Sequence, residues 1–402
     1  MSPFNPIFAL LVLAVAVAFT FALRRLIPAP ATGNRYSAID GLRGYLALSV
    51  FIHHSIVWFL WLQHGKWENP PTNFLTELGQ GSVALFFMIT AFLFAKKVIL
   101  KDEPIDWLKL FVSRLCRLFP LYAVVITAVV LVVAIETNWT LREPALSVAQ
   151  EVAKWFAFTM YKAHSINQFE RTAQITAGVT WSLRYEWFFY FSLPVIAFVF
   201  KRKVPINFLL LSVASVAVAV MAHLNPGCLL GFVGGFCAAV LHNNKKVRDL
   251  ADSRLGSALV MLCLAYVWVF CPTAYALLPM LVLTVAFILI AAGCSMFGIL
   301  SNPTSRTLGE PTYSIYLLHG VLLYVVFTFV IGHAALSRMS PLTYCAIVLL
   351  LTPLLLGISF LSFRWIESPT MELAPVILGK LHNLKAELPT EDATPVTKNS
   401  PQ

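Results

Sequence analysis

Runs of apolar residues about as long as a bilayer-crossing helix recur along this chain, separated by short polar joints. A helix needs roughly 20 mostly apolar residues to cross a hydrocarbon core about 30 Å thick. Eleven segments meet that pattern: about 7–23, 41–62, 80–99, 117–135, 178–200, 205–223, 226–242, 256–272, 276–297, 312–332 and 342–363. In lipid the backbone must satisfy its own N–H and C=O groups, so each segment predicts a helix. The expected fold class is therefore all-α, a polytopic transmembrane helical bundle of about 11 spans. After Pro375 the chain turns polar, and 385–402 has the low hydrophobicity of a disordered tail.

Composition sharpens this picture. The chain is 59% hydrophobic and 12% charged, with a mean hydropathy of +0.78. A soluble domain carries about a quarter of its residues charged, so a soluble reading is excluded. The net charge of +10 does not indicate nucleic acid, because Lys and Arg cluster in the short joints. With alternate joints assigned to opposite sides, only Lys66, Arg142, Lys154, Lys162, Arg171, Arg184 and Arg338 of the 29 Lys and Arg fall on the exterior. That asymmetry predicts an exterior N-terminus and a cytoplasmic C-terminus in a bacterial inner (plasma) membrane. The first apolar run has no Lys or Arg before it and Arg24-Arg25 after it, the reverse of a secretory signal, so a retained helix is expected.

The seven cysteines (Cys116, Cys228, Cys237, Cys263, Cys271, Cys294, Cys345) form no CxxC pair. Neither a disulfide framework nor a metal site is expected, and apolar packing accounts for them. Two joints stand out. Residues 100–116 set Trp107, Leu108, Leu110, Phe111 and Val112 among Lys109, Arg114 and Arg117, a pattern for an interfacial amphipathic helix. Loop 137–175 is long enough to cover or line an acceptor site, or to act as a packed connector.

Charged groups inside spans are costly, so each asks for a function or a local partner. Asp40 and Arg43 are i,i+3 neighbours at the mouth of the second span, where a local salt bridge is the simple reading. His54 lies about three turns beyond Arg43, on the same face and about 16 Å along the axis, while His53 is turned roughly 100° away. An imidazole there either bonds a neighbouring helix or takes a proton from a hydroxyl. Arg114 and Arg117 share a face at the entry of the fourth span, as phosphate ligands or as positive-inside anchors. Trp181, Ser182 and Glu186 open the fifth span on the exterior side, as a hydroxyl-positioning group or an aromatic belt with a local ion pair. Tyr316 and His319 open the tenth, where anchoring and structural roles compete with substrate contact.

In this order, the segments DGLRGYLALSVFIHH (40–54), RLCRLFPLY (114–122), TWSLRYEWFFY (180–190), LGEPTYSIYLLH (308–319) and Ile366-Glu367-Ser368-Pro369 resemble acyltransferase family 3, the integral membrane O-acyltransferases. The resemblance spans about 36–370. It implies a ten-helix acyltransferase core over 36–370; the additional helix and linker (1–35) before it depart from the family's pattern, and the residues after it read as a cytoplasmic polar tail (371–402). It further implies an acyl-CoA co-substrate, usually acetyl-CoA, with no permanently bound cofactor, and a hydroxyl acceptor, commonly on a cell-surface or exported carbohydrate.

The family's essential histidine falls on His54, its first-helix arginine on Arg43, its paired arginines on Arg114 and Arg117, and its WSL-x-x-E segment on Trp181, Ser182 and Glu186. The expected catalytic set is His54, Glu186 and Arg43. Arg114, Arg117 and Arg43 hold the donor, and Asp40, Trp181, Ser182, Tyr316 and His319 contact substrate. His54 acts as general base or as a transient acyl carrier. No soluble hydrolase-like domain follows in this sequence, so no relay to a second fused site is expected. A non-enzymatic glycan or lipid transporter or flippase is the competing class. The Asn or Asp paired with a distant His, typical of the other major family of membrane-bound O-acyltransferases, is not evident.

Overall fold

The computed structural model describes residues 2–25, 36–100, 104–160, 163–332 and 339–387. Its helices, in chain order, are α1 Pro6–Leu23, α2 Ser37–His64, α3 Asn73–Ala95, α4 Trp107–Glu136, α5 Ala145–Phe156, α6 Thr172–Ile175, α7 Thr180–Val199, α8 Ile206–Met221, α9 Pro226–Leu241, α10 Lys245–Ala251, α11 Arg254–Phe270, α12 Leu277–Ala291, α13 Pro303–Leu308, α14 Thr312–Val325, α15 Pro341–Ser362 and α16 Ser368–Glu387. Short π-helical turns prolong α3 and α14, and a third joins α15 to α16. No strand occurs among the described residues.

Among the described residues six helices are long and apolar enough to cross a membrane, and α9 with α10, bent by 105°, forms a seventh candidate. The shorter apolar helices α8, α11 and α12, together with α7, fall on the remaining predicted segments. The protein is thus an all-α polytopic helical bundle. Helix starts follow local chemistry: the side chains of Asn5, Thr72, Asp106, Asn225 and Ser340 each accept a bond from an amide in the first turn. Proline follows at the first position of α1, α9 and α15, where its missing N–H costs nothing.

Burial orders the helices. In the apolar windows of α2 and α3, 72% and 78% of residues are buried, against 28% in α1, so α2 and α3 form the centre and α1 lies outside. α2 packs against α1, α3, α13 and α14. Its approach to the 293–311 connection is close: a β-carbon on Gly41 would stand 1.9 Å from the Leu300 carbonyl oxygen, and one on Gly309 equally near the Asp40 carbonyl oxygen. Arg24 Nη1 donates to Thr304 Oγ1 at 3.0 Å, tying the end of α1 to α13. We call this, with its Lys and Arg side chains, the basic end. At the opposite end Thr273 Oγ1 donates to Gln80 Oε1 at 2.6 Å, and the Asn225 amide donates to the Tyr185 hydroxyl at 2.9 Å.

Two expectations are corrected in detail, and the open reading of loop 137–175 is decided. The amphipathic stretch after residue 106 is not a separate interfacial helix but the first turns of the 30-residue α4, since the only breaker, Pro120, lies deeper and is tolerated within the bundle. Loop 137–175 carries α5 and α6 and is a packed connector: Tyr122 donates to the Trp155 carbonyl at 2.7 Å, and Asn167 Nδ2 bridges Thr137 Oγ1 and the Thr140 carbonyl at 3.1 and 2.8 Å. The last span does not stop near 363. It continues through a π turn into α16, which lies along α4 to Glu387. The disordered tail expected over 385–402 falls outside the described residues from 388 onward.

Candidate active site

At the heart of the bundle α2 and α14 bring two imidazoles together. His54 Nδ1 and His319 Nε2 are 3.0 Å apart, and the rings stack at 5.1 Å between centroids with 23° between planes. His319 Nδ1 stands 3.0 Å from the Ile315 carbonyl oxygen one turn back. A carbonyl can only accept, so His319 carries its proton on Nδ1 and presents a lone pair at Nε2. His54 then donates Nδ1–H to that lone pair. Its Nε2 is left as the basic nitrogen, the arrangement a proton acceptor requires.

His53 has a different partner. Its Nδ1 lies 2.9 Å from the Leu75 carbonyl, and its ring fills the space where a β-carbon on Gly79 would be 2.6 Å away. Glycine at 79 therefore lets α3 approach this face of α2. Adjacent in sequence, the two histidines border one cavity, but His53 is tied to the backbone of α3 and His54 to the imidazole of α14.

Three cavities lie in file along this core. The first opens at the basic end, holds about 420 Å³ and is lined by Tyr36, Asp40, Arg43, Arg117 and Glu310. The second, about 120 Å³, shares Arg43 and Arg117 with it and adds Arg114, Ser182, Glu186 and Tyr316. The third, about 510 Å³, shares Tyr316 with the second and is lined by His53, His54, Trp67, Glu68, Gln80, Trp181 and Tyr275. At the junction the Tyr316 and Ser182 hydroxyls are 2.7 Å apart, and both reach the Val179 carbonyl, at 3.3 and 3.1 Å.

The arginine side is held by acids and aromatics. Glu186 accepts a bond from the Tyr190 hydroxyl. The Arg114 guanidinium lies 5.2 Å over the Phe94 ring, with its Nε buried and unpartnered. Glu367, 2% exposed, accepts from Ser314 Oγ and faces Arg117 and Arg43. A buried carboxylate close to two guanidinium groups holds them electrostatically.

The predicted residues thus divide into two groups. Arg43, Arg114, Arg117 and Glu186 share the narrow middle cavity; Ser182 and Tyr316 mark its inner limit; His54 and Trp181 lie beyond. Glu186 is one turn deeper than Ser182 on α7 and meets the arginines, not the far mouth where its entry to the span suggested it would stand. Asp40 lines the basic mouth with Arg43. Sequence spacing alone does not mark Glu367, Tyr190, Gln80 or Tyr275 as site residues. Glu367 and its partner Ser314 are 53 residues apart, so no local spacing announces the pair. Among the described residues no three His, Cys, Asp or Glu side chains converge as metal ligands.

A histidine pair inside a membrane bundle, followed by a file of cavities that ends on half-buried arginines, suits a catalytic or a transport centre. The family comparison separates these classes: a family model described as an acyltransferase domain matches residues 36–364. The chain belongs to acyltransferase family 3 and is a membrane acyltransferase. No curated protein and no solved structure matches it.

Proposed function

We propose that the protein is an O-acyltransferase, most simply an O-acetyltransferase, that takes an acyl group from acyl-CoA entering at the basic end and gives it to a carbohydrate hydroxyl entering at the opposite end. The observation that carries this reading is the file of three cavities with His54 at the inner side of their Tyr316 junction. Arg43, Arg114 and Arg117 suit the donor's diphosphate, since each guanidinium offers paired N–H groups to phosphate oxygens. From Arg43 the axis of α2 runs about 16 Å to His54, along which the thioester arm extends.

In this reading the acceptor oxygen attacks the thioester carbon as His54 Nε2 takes its proton. The C–O bond forms, the C–S bond breaks, and the proton passes to the departing sulfur, giving an ester and a free thiol. His319 holds the tautomer that makes Nε2 the base. The Ser182–Tyr316 pair serves the carbonyl oxygen as it gains charge, since a hydroxyl donor stabilises it. Trp67, Trp181 and Tyr275 offer rings to the apolar faces of a sugar, with Gln80, Glu68 and Asn69 for its hydroxyls.

Incubation of the purified protein in nanodiscs with radiolabelled acetyl-CoA and candidate glycans tests this. Labelled ester and equimolar free thiol are expected. Glycan movement across vesicles without thiol release would replace the reading with that of a transporter.

A further inference from the structure

Beside the mouth at the basic end lies a fourth cavity of about 390 Å³ that shares Tyr36 with it. Lys96, His242, Asn243 and Arg248 line it, with the first residues of α2 and the backbone at 290–293. Among the described residues no acidic side chain lines it. Asp252 stands behind Gly293, its Oδ1 3.6 Å from where a β-carbon on that glycine would be. Neither Lys96, His242 nor Arg248 belongs to the passage already described.

The cationic wall is built rather than loose. Lys96 Nζ donates to the Tyr36 hydroxyl and stands 4.8 Å from that ring's centroid. The Tyr36 hydroxyl lies 3.5 Å from His242 Nε2, and His242 donates Nδ1–H to the Ala239 carbonyl at 2.8 Å. His242 is 4% exposed, and the rings of Tyr36 and His242 both stand edge-on to Phe92, at 4.9 and 5.2 Å. One of the three Lys96 N–H bonds thus goes to Tyr36 and fixes the ammonium at the cavity wall.

We infer that this cavity binds the terminal phosphomonoester of the donor's nucleotide, between Lys96 and Arg248, while the acyl-bearing arm enters the neighbouring mouth past Arg43 and Arg117. The inference rests on the acyl-CoA reading. With the reactive end of the donor directed along α2 to His54, its nucleotide end stays at the basic end, and the recess that adjoins the mouth there is lined by cations. A dianionic phosphate accepts charge-assisted bonds from an ammonium and a guanidinium, whereas the diphosphate is gripped separately by the arginine cavity.

The experiment compares acetyl-CoA with acetyl-3′-dephospho-CoA, using full-length protein in nanodiscs of zwitterionic lipid and, in parallel, of anionic lipid. Wild type is expected to show a KM at least 10-fold higher for the dephospho donor with little change in kcat. In the Lys96→Ala, Arg248→Ala double variant the KM for acetyl-CoA rises to that of the dephospho donor, and the two become equivalent. Unchanged turnover of the dephospho donor by the variant shows that it is folded. Equal KM values in wild type, or a preference kept by the double variant, overturn the inference. So does an effect of the variant seen equally with both donors and only in anionic lipid, which assigns the cavity to a lipid headgroup. Transfer from neither donor by wild type removes the acyl-CoA reading itself, a result distinct from the others.

Discussion

A helix turns about 100° per residue, so two successive histidines on α2 must meet different neighbours. His54 meets an imidazole and His53 a backbone carbonyl. His54→Ala is expected to lower kcat by about 10²–10⁴, the usual contribution of a general acid–base group, while His53→Ala keeps most activity. A fully active His54→Ala enzyme would sink the mechanism. His319→Gln keeps an acceptor for the His54 Nδ1–H, and His319→Leu does not, so kcat at saturating donor should fall further in the second; equal falls would make His319 a packing residue only. The special status of His54 was legible from its spacing to Arg43. Its partner was not, because 265 residues separate the two histidines and only the packing of α14 on α2 unites them. The arginines test a different property. Lysine preserves charge but loses the planar fork, so Arg114→Lys with Arg117→Lys should weaken donor binding by roughly 10- to 150-fold, the equivalent of about 1.5–3 kcal/mol for a charge-assisted bond. Titration calorimetry with a non-transferable acyl-CoA analogue measures it, and wild-type affinity in that variant would leave the arginines as topology determinants.

The elements hold these side chains through close helix contacts more than through propensity. Gly41 lies where α2 touches the Leu300 carbonyl, and the obstacle to a methyl group there is backbone, which cannot rotate aside. Gly41→Ala should therefore force α2 away from the 293–311 connection, lowering the thermal midpoint in detergent by several degrees and reducing activity with it. Gly357 on α15 meets nothing within 4 Å of its would-be β-carbon, so Gly357→Ala should leave the midpoint unchanged or raise it slightly, as alanine favours helix over glycine. Equal destabilisation by both would show that the contact at Leu300 is not what limits the position. Apolar length announced the spans well, because the bilayer imposes that length directly. It announced their ends less well. α4 begins a full ten residues before its apolar run, under the Asp106 cap, because its first turns pack inward through Trp107 and Leu110. α15 passes through a π turn instead of stopping, which carries Glu367 into the core beside Ser314.

At the scale of the whole molecule, the passage is a product of assembly: residues from α2, α3, α4, α7 and α14 line it, and no single segment encodes it. Charge is the one global property that the sequence states openly, and sidedness is its consequence. The basic end gathers Arg24, Lys96, Arg117, Arg248 and Arg306, whereas the end near Trp67 and Tyr275 opens the His54 cavity. If positively charged joints stay in the cytoplasm, the donor mouth faces the cytoplasm and the His54 cavity faces out. Gln63 and Asn244 are exposed and belong to opposite ends, one closing α2 and the other capping α10. In a background lacking the native cysteines, Gln63→Cys should react with an impermeant thiol reagent on intact cells. Asn244→Cys should react only after permeabilisation. Labelling of Asn244→Cys in intact cells, with Gln63→Cys protected, would invert the bundle and turn the arginine mouth to the exterior. A cytoplasmic acyl-CoA could not then reach that mouth, so the direction of acyl transfer would fall together with the topology.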